Sequence, residues 1–197
     1  MTSSRTVLVT ALALLLSAGC SYSIHGDALP QAGVTPATAP STSSNAKSDA
    51  PSAPPKIAKP RTVAGVEPCT LLNADDLKPI GPFKKEPARK DDVIQESCQY
   101  VLEDGSAKGR TVVAALYQKY EQVRTRQEKG HEVVVEGHST WVLCDLSGSE
   151  MACTATLAVN ANRSVLVAMA QPSGVPDLML AEMQPLLKAA LSRLPAA

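Results

Sequence analysis

The sequence predicts an α+β fold, a single domain with a mostly antiparallel sheet and helices packed on it, in the order α-β-β-α-β-β-β-α. Three observations carry this. Short β-branched and apolar runs recur between turn-forming residues from Cys98 to Ala170. A capped helix start precedes them at Asn73, and Met and Leu at helical spacing follow them from Met179 to Leu194.

Asn73 is a good N-cap, with Asp75 and Asp76 in the first turn, where the helix dipole favours anions. Leu72 and Leu77 fall at the two positions of a hydrophobic staple, and Pro79, Gly81 and Pro82 stop the helix within about two turns. Lys84 to Asp92, with Pro87, reads as a charged, solvated loop. Cys98, Tyr100 and Leu102 alternate with Gln99, Val101 and Glu103, the pattern of a half-buried strand, and Asp104-Gly105 begins a turn. Thr111 to Tyr117 is the next strand. Gln118 to Lys129 is helix-compatible and ends at Gly130. Val133 to Val135 is a short strand that Gly137 breaks from Thr140 to Leu146. Met151 to Val159 and Ser164 to Ala170 follow, joined by Asn160-Ala161-Asn162. The last helix carries Met179, Met183, Leu186, Leu187, Ala190, Leu191 and Leu194 on one face, and Pro185 should kink or split it. With aromatic content of 3%, the core must be built from Val, Leu, Ala and Met.

The first 62 residues carry a different message. Arg5 precedes an apolar run from Val7 to Leu16, too short for a membrane span of roughly 20 residues. Small residues then lead to Cys20, which predicts a signal peptide over 1–19. The run L-L-S-A-G-C resembles the lipobox of bacterial lipoproteins, although Ser17 stands where an aliphatic residue is usual. That resemblance implies cleavage before Cys20, acylation of its thiol, and a protein held at the cell membrane on its extracytoplasmic face. Two or three acyl chains anchor stably where one does not. The competing reading is an ordinary secretory signal with Cys20 a passenger. Residues 20–62 read as a disordered tether rich in Pro, Ala, Ser and Thr, which cannot bury enough surface to offset its ordering entropy. Thr35, Thr38 and Ser41 to Ser44 resemble an O-glycosylated stalk and read equally well as plain polar linker. The domain then occupies 63–197, its elements running from about Val66 to Leu194.

E-P-C-T-L-L at residues 67–72, N-A-D-D-L-K-P-I-G after it and E-S-C-Q-Y at 96–100 resemble an actinobacterial lipoprotein family carrying a domain of unknown function. Its pattern is D-P-C-x-L-L, then C-x-W or C-x-Y, then an Ala- and Leu-rich C-terminal helix, a likeness over Glu67 to Leu194. The family's V-x-G-L-G-D stretch is only half kept here, in Val135-Glu136-Gly137-His138. The resemblance implies cell-surface attachment and no known catalytic residues.

Exported chains live where disulfides persist, and four Cys besides Cys20 allow three pairings. Taking Gly148-Ser149 as a two-residue type II′ turn places Cys144 opposite Cys153 at a non-hydrogen-bonded site. The same register puts Val142, Leu146, Met151, Ala155 and Leu157 on the inward face. Cys69 and Cys98 remain as the other pair, and the family resemblance points the same way.

Motifs for chemistry are sparse. A formal net charge of zero gives no electrostatic footprint for nucleic acid. Gly137-His138-Ser139-Thr140-Trp141 lacks the last Gly of a nucleophile elbow, and a strand follows it where a helix is required. His131 and His138 have no helix to bring them together and read as solvated strand-end residues. With no H-E-x-x-H and no C-x-x-C, no metal site is expected. Asp75/Asp76 and Asp91/Asp92 are sequence neighbours and not facing pairs, so neither pair reads as an acid/base site. The expectation is a non-enzymatic binding or interaction module for an envelope ligand or protein partner, with no catalytic residue, cofactor or metal. An apolar pocket lined by Met179, Met183 and Leu187 would mark the ligand site. The alternatives are a hydrolase acting on the envelope, built on His131 or His138, and an accessory subunit of a membrane complex.

Overall fold

The computed structural model describes residues 53–197. The expected signal peptide, Cys20 and the tether up to residue 52 lie outside the described residues. A 3-10 turn at Pro68–Thr70 leads into α1 (Ala74–Leu77), β1 (Phe83–Lys90), β2 (Ser97–Leu102) and β3 (Arg110–Tyr117). After α2 (Tyr120–Arg126) come β4 (His131–Val135), β5 (His138–Ser147), β6 (Glu150–Ala158), β7 (Ser164–Pro172) and α3 (Pro176–Arg193). The fold is α+β, and the strands form one antiparallel sheet in the order β1-β2-β3-β7-β6-β5-β4. Two meanders, β1–β3 and β4–β7, meet where β3 pairs with β7. The connection through α2 carries the chain from the middle of the sheet to its far edge.

Register separates the two faces. One cross-sheet row reads Tyr100, Val112, Met169, Cys153, Cys144, and the next reads Cys98, Ala114, Val167, Ala155, Val142. These rows form the floor of the core, and α3 lies over them against β7 and β6. Met179, Met183, Leu186 and Leu187 of α3 are all at most 2% exposed. Burying side chains of this size contributes about 1.5–3 kcal/mol each. The opposite face is covered by α2, which places Tyr120 and Val123 over β5 and β6 and leaves Val101, Val113 and Ala168 only half-buried. Asn73 caps α1 as its sequence implies: its side chain accepts from Asp76 N–H at 3.1 Å, and Asp76 accepts from Asn73 N–H at 2.7 Å.

Four expectations are corrected. The charged stretch from Lys84 is not a loop but β1, an edge strand. Apart from Phe83, which packs on the core, most of its side chains face water because only its backbone is needed for pairing, and Pro87 sits where the register to β2 slips. β4 and β5 are separate strands on either side of Gly137, as read, and with β1 added the sheet has seven strands where the expected order counts five. Of the two outcomes expected at Pro185, a kink or a split, the split is excluded: α3 runs unbroken from Pro176 to Arg193. Pro185 and Ala181 are both exposed, so the carbonyl left without an N–H partner meets water. Leu146, expected inward, is 67% exposed, because α3 lies along β7 and β6 and nothing covers the tip of β5.

The structure joins Cys69 to Cys98 and Cys144 to Cys153. The β5–β6 hairpin has the register counted from its turn: Ser147 faces Glu150, Leu146 faces Met151 and Cys144 faces Cys153, with Cα atoms 4.0 Å apart. Gly148 has φ +64° while Ser149 is not left-handed, which suits a type II′ turn. The Cys69–Cys98 bridge ties the 3-10 turn to β2 and closes a loop of sequence separation 29. On the loop-entropy account such a loop contributes about 3–4 kcal/mol.

The folded body begins before Val63. Residues 56–62 cross one end of the sheet as a strap. Lys56 N–H donates to Ser139 Oγ at 2.9 Å, Ser139 N–H donates to Lys56 O at 2.8 Å, and Ile57 bridges to His138. Arg61 N–H donates to Val159 O at 2.9 Å, Thr62 N–H to Pro195 O at 3.0 Å and Ala197 N–H to Pro60 O at 3.1 Å. The strap presses on the β4–β5 turn: a Cβ on Gly137, which has φ +80°, would stand 2.7 Å from Ala58 Cβ.

Each strap bond nets about 0.5–1.5 kcal/mol. A chain beginning at Val63 is therefore expected to be less stable than one beginning at Ala53 by about 2–5 kcal/mol, read from urea midpoints. Equal midpoints would remove the strap from the fold. A second expectation concerns alkaline pH. Tyr100 is fully buried, and its hydroxyl donates to Leu72 O at 3.3 Å. Burial pushes its pKa from the ordinary 10.0 up to about 12. The unfolded chain therefore loses this proton first. The stability from Tyr100 is fully present below pH 10 and is lost as pH rises towards 12. Tyr100→Phe should cost about 1 kcal/mol at pH 7 and flatten the fall between pH 10 and 12. An unchanged alkaline slope would show that Tyr100 does not drive it.

Candidate binding surface

The residues singled out for chemistry are brought to one end of β5 and then separated. His138 and Ser139 are adjacent on the strand, so their side chains leave on opposite faces. Ser139 is 0% exposed, and its hydroxyl donates to Glu132 Oε1 at 2.9 Å while accepting from Lys56 N–H. Tyr120 O–H donates to Glu132 Oε2 at 2.9 Å, and Arg124 stands 3.9 Å from the same oxygen. This network joins strap, β4, β5 and α2 and leaves the Ser139 hydroxyl no open approach. His138, expected to be solvated, is instead 1% exposed, because the strap lies over it. Its Nδ1 lies 2.7 Å from Ala158 O, which assigns the proton to Nδ1 and leaves Nε2 to accept from Lys59 N–H at 3.4 Å. His131 stays exposed at the start of β4. Among the described residues no three His, Cys, Asp or Glu side chains gather as metal ligands. Asp76 serves its helix start and pairs with Arg193 at 2.7 Å.

Met179, Met183 and Leu187 are core. Met179 packs on the second disulfide, with Cys153 Sγ 3.9 Å from its sulfur. The pocket expected there is filled by these side chains, and none of the three lines a described cleft.

Open clefts lie elsewhere, at the end of the sheet where β2 and β7 begin and β3 ends. Two open hollows of about 710 and 520 Å³ share Glu96, Asn162 and Arg163. Glu96 ends the loop between β1 and β2 and sits at φ +50°, a left-handed conformation that costs a non-glycine residue energy. Three contacts hold it there. Its N–H donates to Asp91 Oδ1 at 2.9 Å, its carbonyl accepts from Leu116 N–H at 3.0 Å, and its carboxylate accepts from Arg163 Nη2 at 2.5 Å. The Glu96 amide, followed by the Arg89 guanidinium, holds the Asp91 carboxyl below its usual range.

Arg163 also donates from Nε to Tyr117 O at 3.0 Å, and its own N–H donates to Asn160 Oδ1 at 2.9 Å. Asn160 Nδ2 reaches Arg61 O at 2.8 Å. A continuous run of hydrogen bonds thus crosses the groove from Asp91 through Glu96, Arg163 and Asn160 to the strap. Sequence reading missed this surface. Glu96 and Arg163 are 67 positions apart, and Asn160-Ala161-Asn162 signalled only a turn. The available hint was the Gln- and Asn-rich character of the segments flanking β2, β3 and β7.

The family described as "Protein of unknown function (DUF3558)" matches residues 15–178. The match starts inside the apolar N-terminal run, well before Glu67, and ends in α3 before Leu194. No curated protein matches the chain.

Ser139→Ala tests the structural reading of the near-miss nucleophile motif. It strips a partner from both Glu132 Oε1 and Lys56 N–H, and is expected to cost about 1–3 kcal/mol by urea denaturation. A variant as stable as the parent would free Ser139 from this structural role.

Proposed function

We propose that this chain, which belongs to the DUF3558 family of proteins of unknown function, is an envelope lipoprotein anchored through Cys20 whose domain is a non-enzymatic binding module. Its ligand occupies the groove around Glu96 and Arg163. The observation that carries the reading is a pre-formed polar groove whose central acidic residue is held in a costly backbone conformation by contacts on three sides. Strain of this kind clusters where geometry serves recognition. A groove that is rigid before binding loses little entropy on binding. The closed surroundings of Ser139 and the placement of His138 and His131 favour binding over hydrolysis.

The anchoring rests on the apolar run ending in Ala18-Gly19-Cys20 and on the resemblance to actinobacterial lipoproteins. The family match takes in Cys20 and so supports treating anchor, tether and domain as one unit. Acyl chains on Cys20 would hold the protein at the extracytoplasmic face of the cell membrane.

Two measurements test this. Cys20→Ala should move the protein from the membrane fraction to the soluble fraction or leave an uncleaved precursor; a variant that stays membrane-bound and processed refutes the anchor. A cysteine introduced at Val93, which is 89% exposed and lines the groove, should react with maleimide several-fold faster in purified protein than in intact cells. One introduced at Leu178, 64% exposed on α3, should react equally in both. Equal rates at both positions would leave the groove without a ligand.

A further inference from the structure

We propose that the ligand of this groove is a neutral oligosaccharide, held by the carboxamides of Gln95, Gln122 and Asn162 against the ring of Tyr117; the inference rests on the groove being the binding site. The larger hollow is lined by Asp92 and Glu96 against Lys119 and Arg163, and the smaller by Glu67 and Glu96 against Arg89 and Arg163. Each hollow therefore carries no net formal charge. The central ions are also engaged with one another: Arg163 with Glu96 at 2.5 Å and Arg89 with Glu67 at 2.9 Å. An anionic or cationic ligand would find no net field in either hollow, and at the centre it would have to break the Arg163–Glu96 or Arg89–Glu67 pair to gain a partner.

The polar groups not engaged in ion pairs are mostly carboxamides. Five carboxamides line the two hollows. Two of them serve the fold: Gln118 Oε1 accepts from Arg126, and Asn160 Oδ1 accepts from the N–H groups of Asn162 and Arg163. The side chains of Gln95, Gln122 and Asn162 have no hydrogen-bond partner among the described residues and are exposed. A carboxamide presents an acceptor and two donors side by side. A sugar hydroxyl is at once donor and acceptor, so adjacent hydroxyls match this edge, whereas an acyl chain would leave every one of these groups unpaired. Ile94 and half-buried Tyr117 supply an apolar patch for the C–H face of a sugar ring. At about 710 Å³ the larger hollow falls within the usual range of ligand sites. Its continuity with the second past Arg163 suits a chain of sugars rather than a single one.

The test uses the full lipidated chain carrying Val93→Cys and the maleimide rate as readout. Cell-envelope material is added untreated, after protease digestion, or after periodate oxidation, which cleaves the vicinal diols of sugars. Untreated and protease-digested material should slow labelling at least fivefold, and periodate-oxidised material should not. Adding Gln122→Ala and Asn162→Ala, both exposed, should restore the free rate with no change in Tm. Protection that survives periodate, or that survives both alanine substitutions, overturns the oligosaccharide assignment while leaving the groove as a site. Protection lost to protease alone assigns the groove to a protein partner instead. If no material protects, the groove reading itself falls.

Discussion

Seven consecutive pairs, from Thr111 opposite Ala170 to Tyr117 opposite Ser164, fasten β3 to β7. Before this ladder forms, the chain holds two separate meanders, each with one apolar face and neither with a partner for it. Once it forms, Val112, Ala114 and Leu116 lie beside Met169, Val167 and Val165. The two faces become a single floor wide enough for α3. The ladder closes a long stretch of sequence, so its entropy must be offset by that burial. Neither disulfide helps directly. Cys69–Cys98 secures the first meander and Cys144–Cys153 the second, so the joint between them rests on hydrogen bonds and packing alone.

The placement of α2 follows from the same joint. Because β3 is central and β4 is an edge, the connection must cross β7, β6 and β5, and it does so on the face away from α3. Tyr120 is thereby laid over β5 and β6, where its hydroxyl meets Glu132. That face is covered at one end and half-open at the other, and the open groove forms beside α2 where the covering stops.

What could be read in the sequence were features whose cause is local. Asn73 caps its helix through its own next turn. The β5–β6 register could be counted because Gly148 fixes a two-residue turn. The buried face of α3 could be read because Met and Leu repeat at helical spacing. Features decided by distant backbone could not be read. β1 needs only its backbone to pair, so its charged side chains gave no strand signal. The strap over residues 56–62 binds through amides and carbonyls around Pro60 and has no apolar period. Its presence turns His138 from a solvated residue into a buried one. The groove was hidden for the same reason: Glu96 and Arg163 meet through the closing of the whole sheet.

The strap has a mechanical side. Tension on the chain before Ala53 would reach the domain first at Lys56 and Ile57, then at Pro60, Arg61 and Thr62. These bonds form a short series at one margin of the molecule, and the core ladders lie behind them. The load would therefore peel the strap bond by bond before shearing any strand, leaving both disulfide-closed meanders intact. Asn160 grips Arg61 O with one end of its carboxamide and the amides of Asn162 and Arg163 with the other. A pull strong enough to lift Arg61 would thus be felt at the wall of the groove.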